Sequence, residues 1–339
     1  MFAITLGCLS ANEKPEDKGL QKELIVLAAP ISGDPYYADQ AKNIFEFHVE
    51  YVNQIHDRDD VLVFVDEFAY DDYVDALGED KVVIAPMSDI WMRDFSFSNA
   101  AQPIMFRYTA AGQGGGQKGQ GDADAVQERI AVVSENAELV FKETDLLNDG
   151  GNYVDDYAGN VVISRKFLRD NDFSEEQARS KLRKLLAVKN VAFIESDEQG
   201  GLEHADGVVA FVDANVLVIN SYAEDPDYAN DLRADLERGL PGVTIHEIVT
   251  PYDDSEIYDD RFGSACGLYT NALVTANRIY LPQFGIPEDE IALQQVRAAT
   301  SREVVPVSSH HVCSMGGGVR CMSWQLRGDN AKALLERFK

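Results

Sequence analysis

From residue 24 onward the chain alternates short apolar runs with amphipathic stretches. Leu24-Ile25-Val26-Leu27-Ala28-Ala29, closed by Pro30 and Gly33, predicts a buried strand. Across 39–55, Ala41, Ile44, Phe45, Val52 and Ile55 recur at helical spacing and predict a helix. Strands are predicted at 61–65 and 82–85 with a short helix at 68–77 between them. The strand series continues at 130–140, 161–164, 191–195, 208–212, 216–220 and 243–248, and helices are predicted at 175–186, 228–238, 288–299 and 330–338. Strands and helices interleaved throughout, with no proline-rich or low-complexity linker, define an α/β chain. No internal repeat stands out. The glycine cluster at 112–121 is not a phosphate loop, because Lys118 is followed by Gly119 rather than Ser or Thr. It predicts a surface or lid loop.

Composition narrows the function classes. The 339 residues carry 30 Lys and Arg against 58 Asp and Glu, a net charge of −28. Nucleic-acid affinity rests on phosphate contacts, so such a chain is a poor DNA or RNA binder. An anionic membrane repels it, whereas a small cation is drawn toward it. Solubility, including in a salty habitat, is the plainer reading of the same charge. The four cysteines are Cys8, Cys266, Cys313 and Cys321; none forms a Cys-x-x-Cys pair, and their spacing suits neither a disulfide framework nor a zinc knuckle. The apolar start from Met1 to Leu9, with Cys8 before a polar stretch, looks like the tail of a bacterial lipoprotein signal lacking its basic region. Two locations follow: cytoplasmic for the chain as given, or a bacterial envelope lipoprotein held through Cys8 if translation starts upstream.

Four places carry chemistry. Ser88 to Phe95 places Asp89, Trp91, Arg93 and Asp94 on a loop after a strand, readable also as a surface salt bridge. Asn148-Asp149-Gly150-Gly151-Asn152 is, by itself, turn chemistry. In Glu203-His204-Ala205-Asp206-Gly207, strand alternation would put His204 and Asp206 on one face, as an acid/base pair or a hydrogen-bonded structural histidine. Gly316-Gly317-Gly318 ahead of Val319-Arg320-Cys321 frees the backbone beside a candidate nucleophile, though a buried inert thiol has the same pattern. Cys266 is a rival nucleophile without a neighbouring acid or histidine. His310-His311-Val312-Cys313 offers metal-ligand types, but three on one extended segment would not converge and no fourth is evident. A cysteine, a histidine and surplus carboxylates suit a guanidinium, which is planar and stays protonated, so that flanking carboxylates can grip it above a thiolate.

Trp91-Met92-Arg93-Asp94, Gly150-Gly151-Asn152, His204-Ala205-Asp206, Tyr269-Thr270-Asn271, Leu281-Pro282-Gln283-Phe284-Gly285 and Gly316 to Cys321 resemble, in this order, the agmatine deiminase and bacterial peptidyl-arginine deiminase family of the pentein superfamily. The resemblance covers about residues 24–339 and implies a five-bladed α/β propeller of ββαβ-type units around a central site. It implies an N-terminal extension, 1–22, before one catalytic domain, 23–339. It also implies cofactor-free, metal-free hydrolysis of a guanidine through a thiouronium on Cys321. His204 is then the acid and base, Asp94 and Asp206 clamp the guanidinium, and Asp206 orients His204. Trp91, Asp89 and Asn152 line or brace the site, and Arg320 either pairs with a substrate carboxylate or salt-bridges within the protein. Where the family carries histidine before the cysteine this chain has Arg320, and Gly207 replaces an asparagine, so agmatine, arginine and peptidyl-arginine all stay open as substrates, and a homo-oligomer is left open. Amidino transfer or dimethylarginine-type hydrolysis on the same scaffold, and a non-catalytic guanidine-binding protein, are the alternatives.

Overall fold

The computed structural model describes residues 22–197 and 201–338. The expected extension through residue 21, with Cys8, lies outside the described residues. Those residues form five small sheets. The first orders Trp324–Leu326, Leu24–Ala28, Asp60–Val65 and Val82–Ile84, and the second pairs Ile104–Arg107 with Lys142–Leu147. The third holds Val154–Asp155, Asn160–Ser164 and Asn190–Ile194; the fourth, Val209–Asp213, Val216–Asn220 and Thr244–Ile248; the fifth, Leu273–Val274, Arg278–Gln283 and Glu303–Ser308.

A topological unit recurs without a recurring sequence. In the third, fourth and fifth sheets an antiparallel pair is followed by a helical crossover to a parallel strand. The crossover helices there include Glu175–Leu185, Pro226–Gly239 and Glu288–Ala299. The first sheet has the same form only because the C-terminal strand returns, pairing Leu24 with Leu326 antiparallel, while helix Ala41–Ile55 leads from Leu24–Ala28 to its parallel neighbour. The two ends of the described chain therefore close on each other. Side-chain alternation explains the packing: Ile25 and Leu27 meet Ile44, Phe47 and Tyr51 of the helix in one core, while Leu24, Val26 and Ala28 meet Phe64 and Trp324 in another. Each such fully buried side chain contributes roughly 1.5–3 kcal/mol.

Three expectations are corrected. The predicted strand at 130–140 is instead the end of the helix Gly116–Asn136, whose Ala123, Val126, Ile130 and Ser134 face inward at helical spacing. The apolar run Ile130-Ala131-Val132-Val133 has the composition of a strand, but the polar turns before it make it the last turns of a helix. For the same reason 112–121 is no loop: its second half starts this helix, and a Cβ on Gly119 would lie 2.7 Å from the Gln113 carbonyl oxygen. His204 and Asp206 do not share a strand face, because Ala205–Gly207 is a 3-10 turn with His204 at its start.

The arrangement of strands decides where function can sit. Asp94 lies on the short helix Met92–Phe95 that follows the edge strand Val82–Ile84 of the first sheet, Asp149 on the loop leaving the last strand of the second, and His204 and Asp206 at the 3-10 turn reached from the last strand of the third. Asn271 and Cys321 follow the last strands of the fourth and fifth. In each case that last strand runs parallel to its neighbour, and parallel sheets present their functional loops beyond the carboxyl ends of their strands.

Candidate active site

These loops meet at a cavity of about 600 Å³ whose lining includes Asp89, Trp91, Asp94, His204, Asp206, Asn271 and Cys321. Close backbone approach makes that possible. A Cβ on Gly151 would lie 2.5 Å from His204 Nδ1 and 2.8 Å from Asp94 Oδ1, and one on Gly317 would lie 2.5 Å from the Trp91 ring and 2.9 Å from the Cys321 Cβ. The two glycine motifs are spacers between loops. The Cys321 carbonyl accepts the Arg93 N–H at 3.0 Å, which locks the first loop to the last.

Cys321 is buried and is the free cysteine among the described residues. Its Sγ accepts a hydrogen bond from Asn271 Nδ2 at 2.9 Å and stands 3.8 Å from Asp206 Oδ2. Burial first, then the charges of Asp206 and Asp94, push its thiol well above the ordinary range, with Asn271 and Arg320 opposing. His204 directs Nε2 to Asp149 Oδ2 at 3.0 Å and leaves Nδ1 3.7 Å from Asp94 Oδ1. Burial works against its imidazolium, but Asp94 and the hydrogen bond to Asp149 outweigh that and raise the pKa to about 9. Asp94 goes up to about 7, chiefly through burial and despite His204, while the Gly151 N–H donates to its Oδ1 at 3.1 Å.

Several assignments change in the structure. Asp149, not Asp206, holds His204, and Thr109 braces it with its N–H at 2.8 Å and its hydroxyl at 2.9 Å. Asp206 is instead clasped by Arg320, whose Nη1 lies 2.5 Å from Oδ2 and whose Nη2 donates to the Tyr153 carbonyl at 2.7 Å. Arg320 is buried and is not among the residues that line the cavity, which fits the reading in which it salt-bridges within the protein. Asn152 is also absent from the lining: it accepts the Ser164 N–H at 2.8 Å and donates to Asn148 Oδ1 at 3.1 Å, bracing the turn that carries Asp149. Asp89 lines the cavity while accepting from the Tyr37 hydroxyl at 2.7 Å and Gln113 Nε2 at 2.9 Å. Asp149 and Asn271 both lay in segments already singled out; their roles were hidden because a hydrogen-bond partner is a property of the assembled loops.

Cys266 and Cys313 are neither a second nucleophile nor a metal pair: they are joined by a disulfide across 47 residues of sequence. The bond ties together two loops of the cavity wall, 262–265 and 315–316, next to an Ala265 N–H to Cys313 carbonyl hydrogen bond of 2.8 Å. Spacing along the chain concealed a contact made across the fourth and fifth sheets.

A sequence model described as Porphyromonas-type peptidyl-arginine deiminase matches residues 16–326. A protein of Lactococcus lactis, provisionally named agmatine deiminase, is 26% identical over 218 residues, or 55% of this chain and 58% of the relative. One of Marinomonas sp. with the same provisional name is 24% identical over 284 residues, 73% of this chain and 76% of the relative. The chain thus spans little more than half the length of the first of these. In structure it is similar to the agmatine deiminase of Enterococcus faecalis, with a TM-score of 0.74 at 19% identity over 91% of this chain and 93% of that one.

Proposed function

The chain belongs to the Porphyromonas-type peptidyl-arginine deiminase family, and from that membership we propose that it is a cysteine-dependent hydrolase that converts a small guanidino substrate to a ureido product and ammonia. One observation carries the reading: Cys321, His204, Asp94 and Asp206 border one cavity. The five sheets then serve as blades of an α/β propeller, and 23–339 as one catalytic domain.

The guanidinium lies between Asp94 and Asp206, its planar N–H groups donating to carboxylates and its carbon facing Cys321 Sγ. Its positive charge offsets what opposes the thiolate, so binding and nucleophile activation are one event. Sulfur attacks the guanidinium carbon, and the C=N electron pair moves onto nitrogen to give a tetrahedral adduct. His204, held as imidazolium by Asp94 and Asp149, gives a proton to the departing nitrogen, and ammonia leaves a thiouronium. Neutral His204 then takes a proton from water as its oxygen attacks the same carbon. Cleavage of the C–S bond returns the sulfur as thiolate, the adduct's O–H proton passes to ammonia, and the ureido product is freed with ammonium. The thiol proton given up to solvent on binding returns when product leaves. Asn271 supports the sulfur through its 2.9 Å hydrogen bond.

For substrate class, the lining carries Asp34, Asp89, Asp94, Asp197 and Asp206, against His204 and Arg261, and Arg261 is engaged by Asp259 at 2.6 Å. That balance favours a dicationic guanidino amine such as agmatine over a substrate with a free carboxylate. The test is turnover of agmatine, arginine, an arginine amide and a peptide ending in arginine, scored by ammonia and ureido product. Agmatine should have the highest kcat/KM; a preference for the free carboxylate would overturn the substrate assignment, and no product from any would overturn the activity. The disulfide favours an oxidising compartment, such as the bacterial envelope, over the cytoplasm.

A further inference from the structure

Away from the cavity, helix Ala41–Ile55 presents Glu46 and Glu50 one turn apart toward the segment that follows strand Glu303–Ser308. That segment brings His310 and His311, their rings 3.8 Å apart. One ligand atom from each of Glu50, His310 and His311 lies within 4.8 Å of the others. Two histidines adjacent in sequence cannot both aim at one point along a straight strand. Here the chain leaves the strand at Ser309 and turns, with the Val312 and Cys313 N–H groups donating to the Ser309 carbonyl. The third donor type comes from a helix more than two hundred residues earlier, which is why nothing in the local sequence announces it.

The His311 contacts lie within ion-pair range but are longer than hydrogen bonds, a spacing that ligands of one ion also have. His311 Nε2 stands 3.5 Å from Glu50 Oε1, and its Nδ1 stands 3.6 Å from Glu46 Oε2. Both exceed an ordinary N–H···O hydrogen bond. Two atoms bound to one tetrahedral zinc at about 2.0–2.2 Å are about 3.3–3.6 Å apart. The second Glu50 oxygen, Oε2, is shielded from solvent and has no hydrogen-bond partner, a state that costs free energy unless something else meets it. His310 has its Nδ1 2.7 Å from Ser308 Oγ. That contact orients the ring and leaves Nε2 for a ligand, the arrangement in which metal-binding histidines are usually held.

We propose that Glu50, His310 and His311 form a divalent-cation site, with Glu46 beside it, that takes zinc or another imidazole-preferring ion such as nickel. Two imidazoles and a carboxylate favour those ions over magnesium and calcium, which prefer oxygen alone. The site is separate from Cys321 and independent of the proposed hydrolysis. It joins the first crossover helix to the turn that continues into Cys313, so an ion there fastens that helix to the wall of the cavity.

The test uses the full chain, stripped of metal, in the Cys321→Ala background so that the catalytic thiol cannot capture the ion. Zinc is titrated against a chromophoric chelator, and cobalt is added separately to read its visible absorption bands. One equivalent of zinc should bind, tighter than the millimolar range, raise the thermal midpoint, and give cobalt bands of a low-coordinate nitrogen and oxygen site. H310A/H311A should weaken zinc by more than about tenfold, and E50Q should do the same. Both variants should keep the circular-dichroism spectrum and the metal-free thermal midpoint of the Cys321→Ala chain, which shows them folded. No zinc binding by the Cys321→Ala chain, or equal binding after H310A/H311A, overturns the site.

Discussion

At the residue scale, the proposed hydrolysis asks one acidic pocket for both binding and proton transfer, and the groups of that pocket are pushed in different directions. Asp149 pairs with His204, so its carboxylate is held below its usual range in spite of burial. Asp94 is raised to about 7 by burial. With Asp94 as the proposed clamp, protonation as pH falls through about 7 should loosen the hold on the guanidinium, so that KM measured from pH 8 to 5.5 rises steeply with a smaller change in kcat. His204 is raised from 6.5 to about 9. A raised histidine stabilises the fold fully below its unfolded value and loses that contribution as pH climbs through about 9, where the acid for ammonia departure is lost as well. D149N should lower kcat by about 10²-fold or more with little effect on KM, since it misorients the acid rather than the clamp. A D149N enzyme with unchanged kcat would remove Asp149 from the mechanism. Cys321 should resist a neutral haloacetamide at pH 7 and react far faster with the isosteric cationic haloacetamidine, because only the second brings the charge that favours a thiolate. Equal rates would show that the thiolate forms without substrate.

At the element scale, glycine and disulfide do opposite jobs. Gly151 and Gly317 let loops from different sheets touch, and Gly151→Ala should abolish turnover by displacing His204 or Asp94, since its Cβ would sit 2.5 Å from one and 2.8 Å from the other. The Cys266–Cys313 bond joins two loops that belong to none of the five sheets, one of them otherwise held by an isolated bridge between Asp253 and Cys266. Closing a loop of that length accounts for about 2–4 kcal/mol. Urea unfolding with and without reductant should show a loss of that order, and C266S/C313S should match the reduced protein. No difference would mean that these cysteines are not bonded in solution. Helix and strand periodicity was readable wherever a segment packed on one face, as in Ala41–Ile55 and Glu288–Ala299. It misled where a helix began with glycines and polar residues, as in Gly116–Asn136. Strand Lys142–Leu147, half-exposed and mostly polar, carried no apolar signal to read.

At the scale of the whole molecule, a net charge of −28 surrounds a cavity whose charged lining residues are mainly aspartates. A field of that sign concentrates small cations and is screened over about 8–10 Å at physiological salt. With agmatine, kcat/KM should therefore fall as ionic strength rises from about 0.01 to 0.5 M, mostly through KM. A flat profile would confine the electrostatics to contact distance. What the sequence determined was the kinds of group available and their order: a cysteine behind three glycines, His-x-Asp, Trp-x-x-Asp, and apolar runs that could only be α/β. The α/β class was legible because burial imposes its period on neighbouring residues. The partnerships were not legible. That His204 leans on Asp149, that Arg320 turns inward to Asp206, that Cys266 finds Cys313, and that Glu50 faces two histidines were decided only when separate sheets presented their loops to one another. Those contacts depend on distances between residues far apart in the chain, and a linear order of residues does not contain them.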